Sequence, residues 1–533
     1  EFREAIKDGI EAWNLAFENI GFKNAIVAKQ MPDDAEWDPA DSRYSTIRWF
    51  IHPGAGYAVG PSRANPYTGE IYDADVRISA DFVKGFYREF EEFVTPVLDD
   101  ELAYLWDNEE EYNHHKECNY ATHLRQEMSL GWHHLINNEI ISGTKEELMD
   151  YVYKGLVDLV LHEVGHTLGL RHNFKASSIY SIDQLSDRNF TEKYGISGSV
   201  MDYHPVCLLD KGHNLFQITP GPYDLWAIEF GYKPNLTNIQ RKELLSKSDL
   251  PELMFGNDAD DMRSPGKGVD PRAMTNDMSN NPIAYAKQRI KLVNKTMGEL
   301  PTKLKNPSTW EEYRNATNTL FRESGRSLEV VSRYIGGVYV NRSSPDQDSN
   351  LVPFQAVPEE TQREAMRVLS NLAFSPSAFP ISSELITIMQ KERRGFDFSS
   401  EHEDPSIHRA IIGIQSRVLA HLLSGWTLDR ISDSRLYGNT YTTNEMFSDL
   451  TNSIFLEDTN STVNTVRQNL QILYTRRLID LLLGKPGDQM SAAAAYSSLN
   501  KIEKIAKKRS SDPETQAHRE MILWLIDSSL KKN

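Results

Sequence analysis

The chain has 533 residues, 39% hydrophobic and 25% charged, an ordinary globular composition on a length that calls for two to four domains. Its formal net charge of -18 opposes binding to nucleic-acid phosphates, and no run of 18 apolar residues marks a transmembrane helix. Its two cysteines, Cys118 and Cys207, form no CxxC pair, which argues against a zinc ribbon or a thioredoxin-like redox site and leaves one disulfide or two thiols open. The chain begins at Glu1 inside an amphipathic pattern and reads as a piece of a longer product, with any leader, anchor or pro-segment removed.

Phe2, Ile6, Ile10, Trp13 and Phe17 recur every three to four residues and predict a helix to about residue 19, stopped by Gly21. Strand-like pieces follow at Asn24 to Lys29, Ser45 to Ile51, Tyr57 to Val59 and Ile71 to Ile78, separated by Pro and Gly clusters. From about 80 to 140 the pattern turns helical, aromatic and acidic. Thr144 and Glu147 then form a capping box that opens an apolar helix running to about Leu168. A short helix from Tyr223 to Phe230 is expected to end at Gly231. Residues 236–283 are polar and irregular and read as a connection. From Ala284 onward the pattern is almost wholly helical, with eight or nine helices and no repeat period.

The chemistry concentrates in Leu161-His162-Glu163-Val164-Gly165-His166-Thr167-Leu168-Gly169-Leu170-Arg171-His172. His162 and His166 lie four apart, so on a helix both imidazoles leave one face and can meet one Zn2+ at about 2.0–2.1 Å. Glu163 sits beside that face, within reach of a water at the metal without being a ligand. Gly169 can take positive φ and end the helix, so that the chain turns back and His172 approaches as the third ligand. Three protein ligands leave a fourth position open, the catalytic rather than the structural arrangement. A bare HExxH arises by chance in roughly 1% of chains of this length, and the added Gly and His lower that by about three orders of magnitude. An apolar helix with incidental histidines is therefore the weaker reading.

This segment resembles the HExxHxxGxxH signature of the metzincins, a family of zinc-dependent endopeptidases. The family carries a Met-turn downstream, and Ser199-Val200-Met201-Asp202-Tyr203 is similar to it. The resemblance implies that Met201 lies beneath the metal and that Tyr203 binds it or stabilises the oxyanion. Without the family, Met201 would read as core and Tyr203 as a partly buried aromatic. The resemblance also implies an antiparallel edge strand above the cleft at Tyr57, Ala58 and Val59, to which a peptide or protein substrate adds as a further strand. The longer chain resembles a bacterial group of large exported zinc-dependent metalloproteases with a helical C-terminal region, carried by Ser332 to Tyr339 and Pro353 to Pro358. That resemblance implies an extracytoplasmic location.

The implied fold class is α+β. A metzincin-like catalytic domain occupies 1–235, with a small twisted mostly parallel sheet, an antiparallel edge strand, the active-site helix and a helical insertion at about 80–140. An irregular connection spans 236–283, and a mainly α-helical domain spans 284–533. Weaker features read as packing or surface. The pairs His114-His115 and His133-His134 point about 100° apart on a helix and so seldom share a metal. Asn257-Asp258-Ala259-Asp260-Asp261 carries oxygen ligands for Ca2+ but lacks the spacing and glycine of an EF-hand, and reads as a solvated loop. Glu192 is the residue that a gluzincin-type site would recruit, and His172 displaces that reading. The other functional readings are a surface scaffold that binds peptides or glycans through an inactive site, and a latent enzyme with a blocked cleft. Oligomeric state, cleavage preference and natural substrate have no signature in the residues.

Overall fold

The computed structural model describes all residues except 1, 52–57, 81, 84–119, 139, 210–213, 262–264, 305–306, 308, 348, 392–402, 485–488 and 531–533. Tyr57, Cys118, His114, His115 and most of the 80–140 insertion lie outside the described residues. Among the described residues the molecule is mainly helical, with three small sheets. Among the described residues no helix is long and apolar enough to cross a membrane.

At the centre is the motif helix, Lys145–Thr167. Its capping box is formed as expected, with Glu147 N donating to Thr144 Oγ1 (3.2 Å) and Thr144 N donating to Glu147 Oε2 (2.9 Å). Every residue from Gly155 to Gly165 is buried, so the helix is enclosed on all sides. The N-terminal helix Arg3–Glu11 packs along it, and Trp13 Nε1 donates to Leu161 O at 3.0 Å. A second helix, Tyr120–Asn137, packs against another side and is called here the flanking helix.

The main sheet has three strands in the order β1-β5-β2: β1 is Ile47–Phe50, β2 is Ala58–Val59 and β5 is Val76–Ser79. β1 pairs with β5 in parallel and β2 pairs with β5 antiparallel, so the expected mostly parallel sheet is instead evenly mixed. The single strand expected over Ile71 to Ile78 is two strands. Its first half, β4 (Ile71–Ala74), forms a hairpin with β3 (Ser62–Ala64), which the sequence reading did not include. The break falls at Asp75, whose Oδ1 accepts from Thr46 N (3.2 Å) and Thr46 Oγ1 (2.8 Å) while its own N–H goes to Pro61 O (3.1 Å). No strand forms at Asn24 to Lys29. There the Asn14 side chain takes both backbone groups of Ile26, at 2.8 and 3.1 Å, and so replaces a strand neighbour.

Further along, the helix Pro222–Tyr232 runs through Gly231 rather than ending at it, and Tyr232 Oη donates to Leu168 O at 2.9 Å. From residue 282 onward there are ten α-helices among the described residues, more than the eight or nine expected. They are interrupted by a two-stranded antiparallel ladder, β6 (Val338–Val340) with β7 (Phe354–Ala356). One continuous buried cluster extends from Ala5 to Ile526 and joins the helices of both halves.

A buried ion network bridges the flanking helix and the C-terminal helices. Arg289, on helix Pro282–Lys303, donates to Glu127 (2.8 Å), to Glu323 on helix Glu311–Ser332 (2.7 Å) and to Val206 O (3.0 Å). Removing one partner strands the others' charges in a dry interior. Arg289→Met is therefore expected to destabilise the protein by about 3–5 kcal/mol, read as a lowered midpoint in urea with an unchanged slope.

Candidate metal centre

His162 and His166 occupy one face of the motif helix, their ring centroids 4.8 Å apart. The helix then ends in a Schellman turn. Gly169 N donates to His166 O (3.0 Å), Leu170 N donates to Gly165 O (3.1 Å), and Gly169 takes φ 92°. This turn brings back His172, whose ring lies 5.5 Å from that of His162 and 4.8 Å from that of His166. One ligand nitrogen from each histidine falls within 4.8 Å of the others, and this is the only such cluster of three or more His, Cys, Asp or Glu among the described residues.

The tautomer of each ring follows from its second nitrogen. His162 Nδ1 bonds Val200 O at 2.7 Å and His166 Nδ1 bonds Leu170 O at 3.1 Å. A carbonyl only accepts, so Nδ1 carries the proton and Nε2 keeps its lone pair. His172 Nδ1 lies 2.9 and 3.0 Å from the two carboxylate oxygens of Asp258. Burial, followed by repulsion from the other two histidines, holds His162 well below the ordinary imidazole range. Burial and His172 bring His166 down to about 4. These two rings are neutral, the form that ligates a metal. Among the described residues His166 Nε2 is buried without a hydrogen-bond partner. A stranded lone pair in a three-imidazole set fits Zn2+, and His162, His166 and His172 are the residues that would hold it.

Glu163 is fully buried and lies against Gly60, the residue that follows β2. A Cβ at position 60 would stand 2.4 Å from Glu163 O and 3.3 Å from Oε2, so the edge strand ends on the helix at the carboxylate. Met201 is fully buried under the motif helix. A side chain at Gly165 would meet its Sδ at 2.3 Å, so only glycine leaves room there. Tyr203 Oη is 3.2 Å from His172 Nε2.

Two residues that the sequence reading missed hold these parts in place. Asp224 takes Val200 N (2.8 Å), Ser199 Oγ (2.5 Å) and Gly221 N (2.8 Å), which fixes the 199–201 turn to the start of helix Pro222–Tyr232. Burial pushes its carboxyl up to about 6 against those three donors. Its only signal in the sequence is local: Pro222 at the first helical position with an acid two residues later. Asp258 lies 86 residues from His172; the sequence marks it only as part of an acidic cluster and gives no sign of this pairing.

The weaker candidates have other roles. Asp258–Asp261 is a short helix rather than a solvated loop, and its carboxylates are committed to His172, Arg342 and Arg333 rather than to Ca2+. Glu192 is on a different helix, Arg188–Tyr194, paired with Arg188 at 2.8 Å. His134 is buried in the flanking helix, bonded to Asn138 at 2.9 Å. Cys207 has no disulfide partner among the described residues, and burial pushes its thiol up to about 12.

A family model described as Met-zincin matches residues 144–462, well over half of the chain. The chain belongs to the Met-zincin family. No curated protein and no solved structure matches it. Membership carries a zinc-metallopeptidase type of function, and the three histidines form the matching candidate metal site. The matched span contains the motif, the 199–203 segment, Asp224 and Asp258.

The Asp258 carboxylate accepts from His172 Nδ1 and so fixes the orientation of that ring. Asp258→Ala is expected to weaken Zn2+ binding about 10- to 100-fold, measured by competition with a chromogenic chelator.

Proposed function

We propose that this protein is a zinc-dependent endopeptidase, with one Zn2+ held by His162, His166 and His172 and with Glu163 as general base. The observation that carries this reading is the convergence of three imidazoles, each with Nδ1 already bonded, next to a buried glutamate on the same helix. Bound Zn2+ supplies Lewis acidity: it lowers the pKa of water toward 7 and polarises the scissile carbonyl.

The chain's own groups do the rest. Glu163 takes the proton from the attacking water and later passes it to the leaving amine. The Tyr203 hydroxyl, 3.2 Å from His172 Nε2, donates to the oxygen that develops negative charge. The peptide or protein substrate adds to β2, which is bonded to β5 on one side and ends at Glu163. Ala58 and Val59 then supply backbone contacts, with Tyr57 before them, so the main chain of the substrate is recognised ahead of its side chains.

In this reading 1–235 is the catalytic domain, 236–283 a connecting region that also supplies Asp258, and 284–533 a helical domain that buttresses the flanking helix. The resemblance to exported bacterial metalloproteases supports an extracytoplasmic site of action.

The test is Glu163→Gln. The variant is expected to bind about one Zn2+ per chain by elemental analysis and to lose at least about 10²-fold in cleavage of a mixed peptide library. The parent's cleavage should stop on adding a chelator and return with Zn2+. Cleavage by the variant at the parent rate would remove Glu163 from the mechanism, and a parent that takes up no Zn2+ would sink the whole reading.

A further inference from the structure

Tyr203 is boxed in by rings. It is only 2% exposed, and its centroid lies 4.8 Å from His172 and 5.2 Å from Phe174 on the metal side. His162 lies 5.6 Å away on the motif helix, and two further ring neighbours come from the flanking helix, outside the segments that carry the zinc motif and the Met-turn. Tyr120 lies 5.1 Å away at 31°, and His123 lies 5.8 Å away at 22°.

Each of these two residues is itself anchored. The Tyr120 ring also stacks on His162 at 4.2 Å and 23°, and its hydroxyl donates to Asp158 Oδ1 at 2.7 Å. Asp158 is on the motif helix, one turn before His162. His123 Nε2 bonds the carbonyl of His204, the residue after Tyr203, at 3.1 Å, so this nitrogen carries the proton. The Tyr203 backbone is held as well, with its carbonyl accepting from Asn276 N at 3.2 Å.

We propose that Tyr120 and His123 are positioning residues that clamp Tyr203, so that its hydroxyl stands permanently beside the metal site instead of swinging in with substrate. The inference rests on the endopeptidase reading above. The physical basis is packing. A ring enclosed at interior density cannot change χ1 unless a neighbour moves, and the neighbours here are stacked on a ligand and bonded to the motif helix. A donor fixed before the reaction needs no reorganisation when charge develops, so the clamp acts on the transition state and should appear in kcat rather than KM.

The test combines a double-mutant cycle with a direct view of the ring. Tyr120→Leu removes the stack. It is expected to lower kcat about 10- to 100-fold and to leave KM within about twofold. In a Tyr203→Phe background the same change should cost almost nothing more, because the hydroxyl it positions is gone. Tyr120→Phe keeps the stack and should restore most of the lost kcat. His123→Ala follows the same cycle and substitutes for Tyr120→Leu if that variant does not fold.

The second readout is fluorine NMR on zinc-free protein labelled with 3-fluorotyrosine, with the Tyr203 line identified by its loss in Tyr203→Phe. A line that is narrow in the parent and that shifts or broadens in Tyr120→Leu or His123→Ala supports the clamp. Losses that add fully to that of Tyr203→Phe, or a Tyr203 line unmoved by either variant, overturn it. A parent that binds Zn2+ and cleaves no peptide would defeat the endopeptidase reading, and the fluorine line would still decide the clamp.

Discussion

The site depends on three hydrogen bonds from imidazole Nδ1 groups to acceptors on three separate stretches of chain. Val200 O, Leu170 O and the Asp258 carboxylate each turn one ring so that its other nitrogen faces the same point. Two of those acceptors are backbone carbonyls, whose positions are set by the fold rather than by a side-chain rotamer. The Leu170 carbonyl comes from the Schellman turn at Gly169, and the Val200 carbonyl from the turn held by Asp224. An error in either turn would misdirect a ligand, since an imidazole offers a metal its lone pair along one direction only.

The turn that carries Val200 illustrates how a buried charge is used for shape. Asp224 is fully buried, and burial alone would favour its neutral acid. Three donors oppose this, and each belongs to a segment that must meet the others: Val200, Ser199 and Gly221. An apolar side chain would leave buried N–H groups without partners, and each unpaired group costs about 1–3 kcal/mol. The carboxylate therefore acts as a three-way junction beneath the metal site. Gly165 completes the arrangement by leaving the space that Met201 Sδ occupies.

The helices after residue 282 bear on the site through the flanking helix. Arg289 joins Glu127, Glu323 and the Val206 carbonyl in one buried network. Val206 is three residues past Tyr203, and Glu127 is one turn past His123. The ladder of β6 and β7 reaches the other flank, with Val338 N donating to Val269 O (2.9 Å) and Val340 N to Asp270 (2.9 Å). Asp270 also pairs with Lys175 at 2.8 Å, three residues beyond His172. The region after residue 282 thus bounds the candidate metal centre from two directions.

The candidate ligand set was legible in the sequence because it is local. His162, Glu163 and His166 share a helix whose capping box and terminating glycine are written in adjacent residues, and helical geometry alone places two rings on one face. The third ligand followed from one conformational fact, the positive φ of Gly169. The partners of those ligands were not legible. Asp258 faces His172 across 86 residues, and Tyr120 stacks on His162 across 42, through contacts that no periodicity encodes. The strands show the same division. Alternation marked Ile71 to Ile78 as extended, but the side chain of Thr46 bonding Asp75 decided that it would be two strands with different neighbours. Local sequence determined where the chain turns and which residues share a face. Tertiary packing decided what each buried hydrogen-bonding group meets, because that depends on which distant segments the common core brings together.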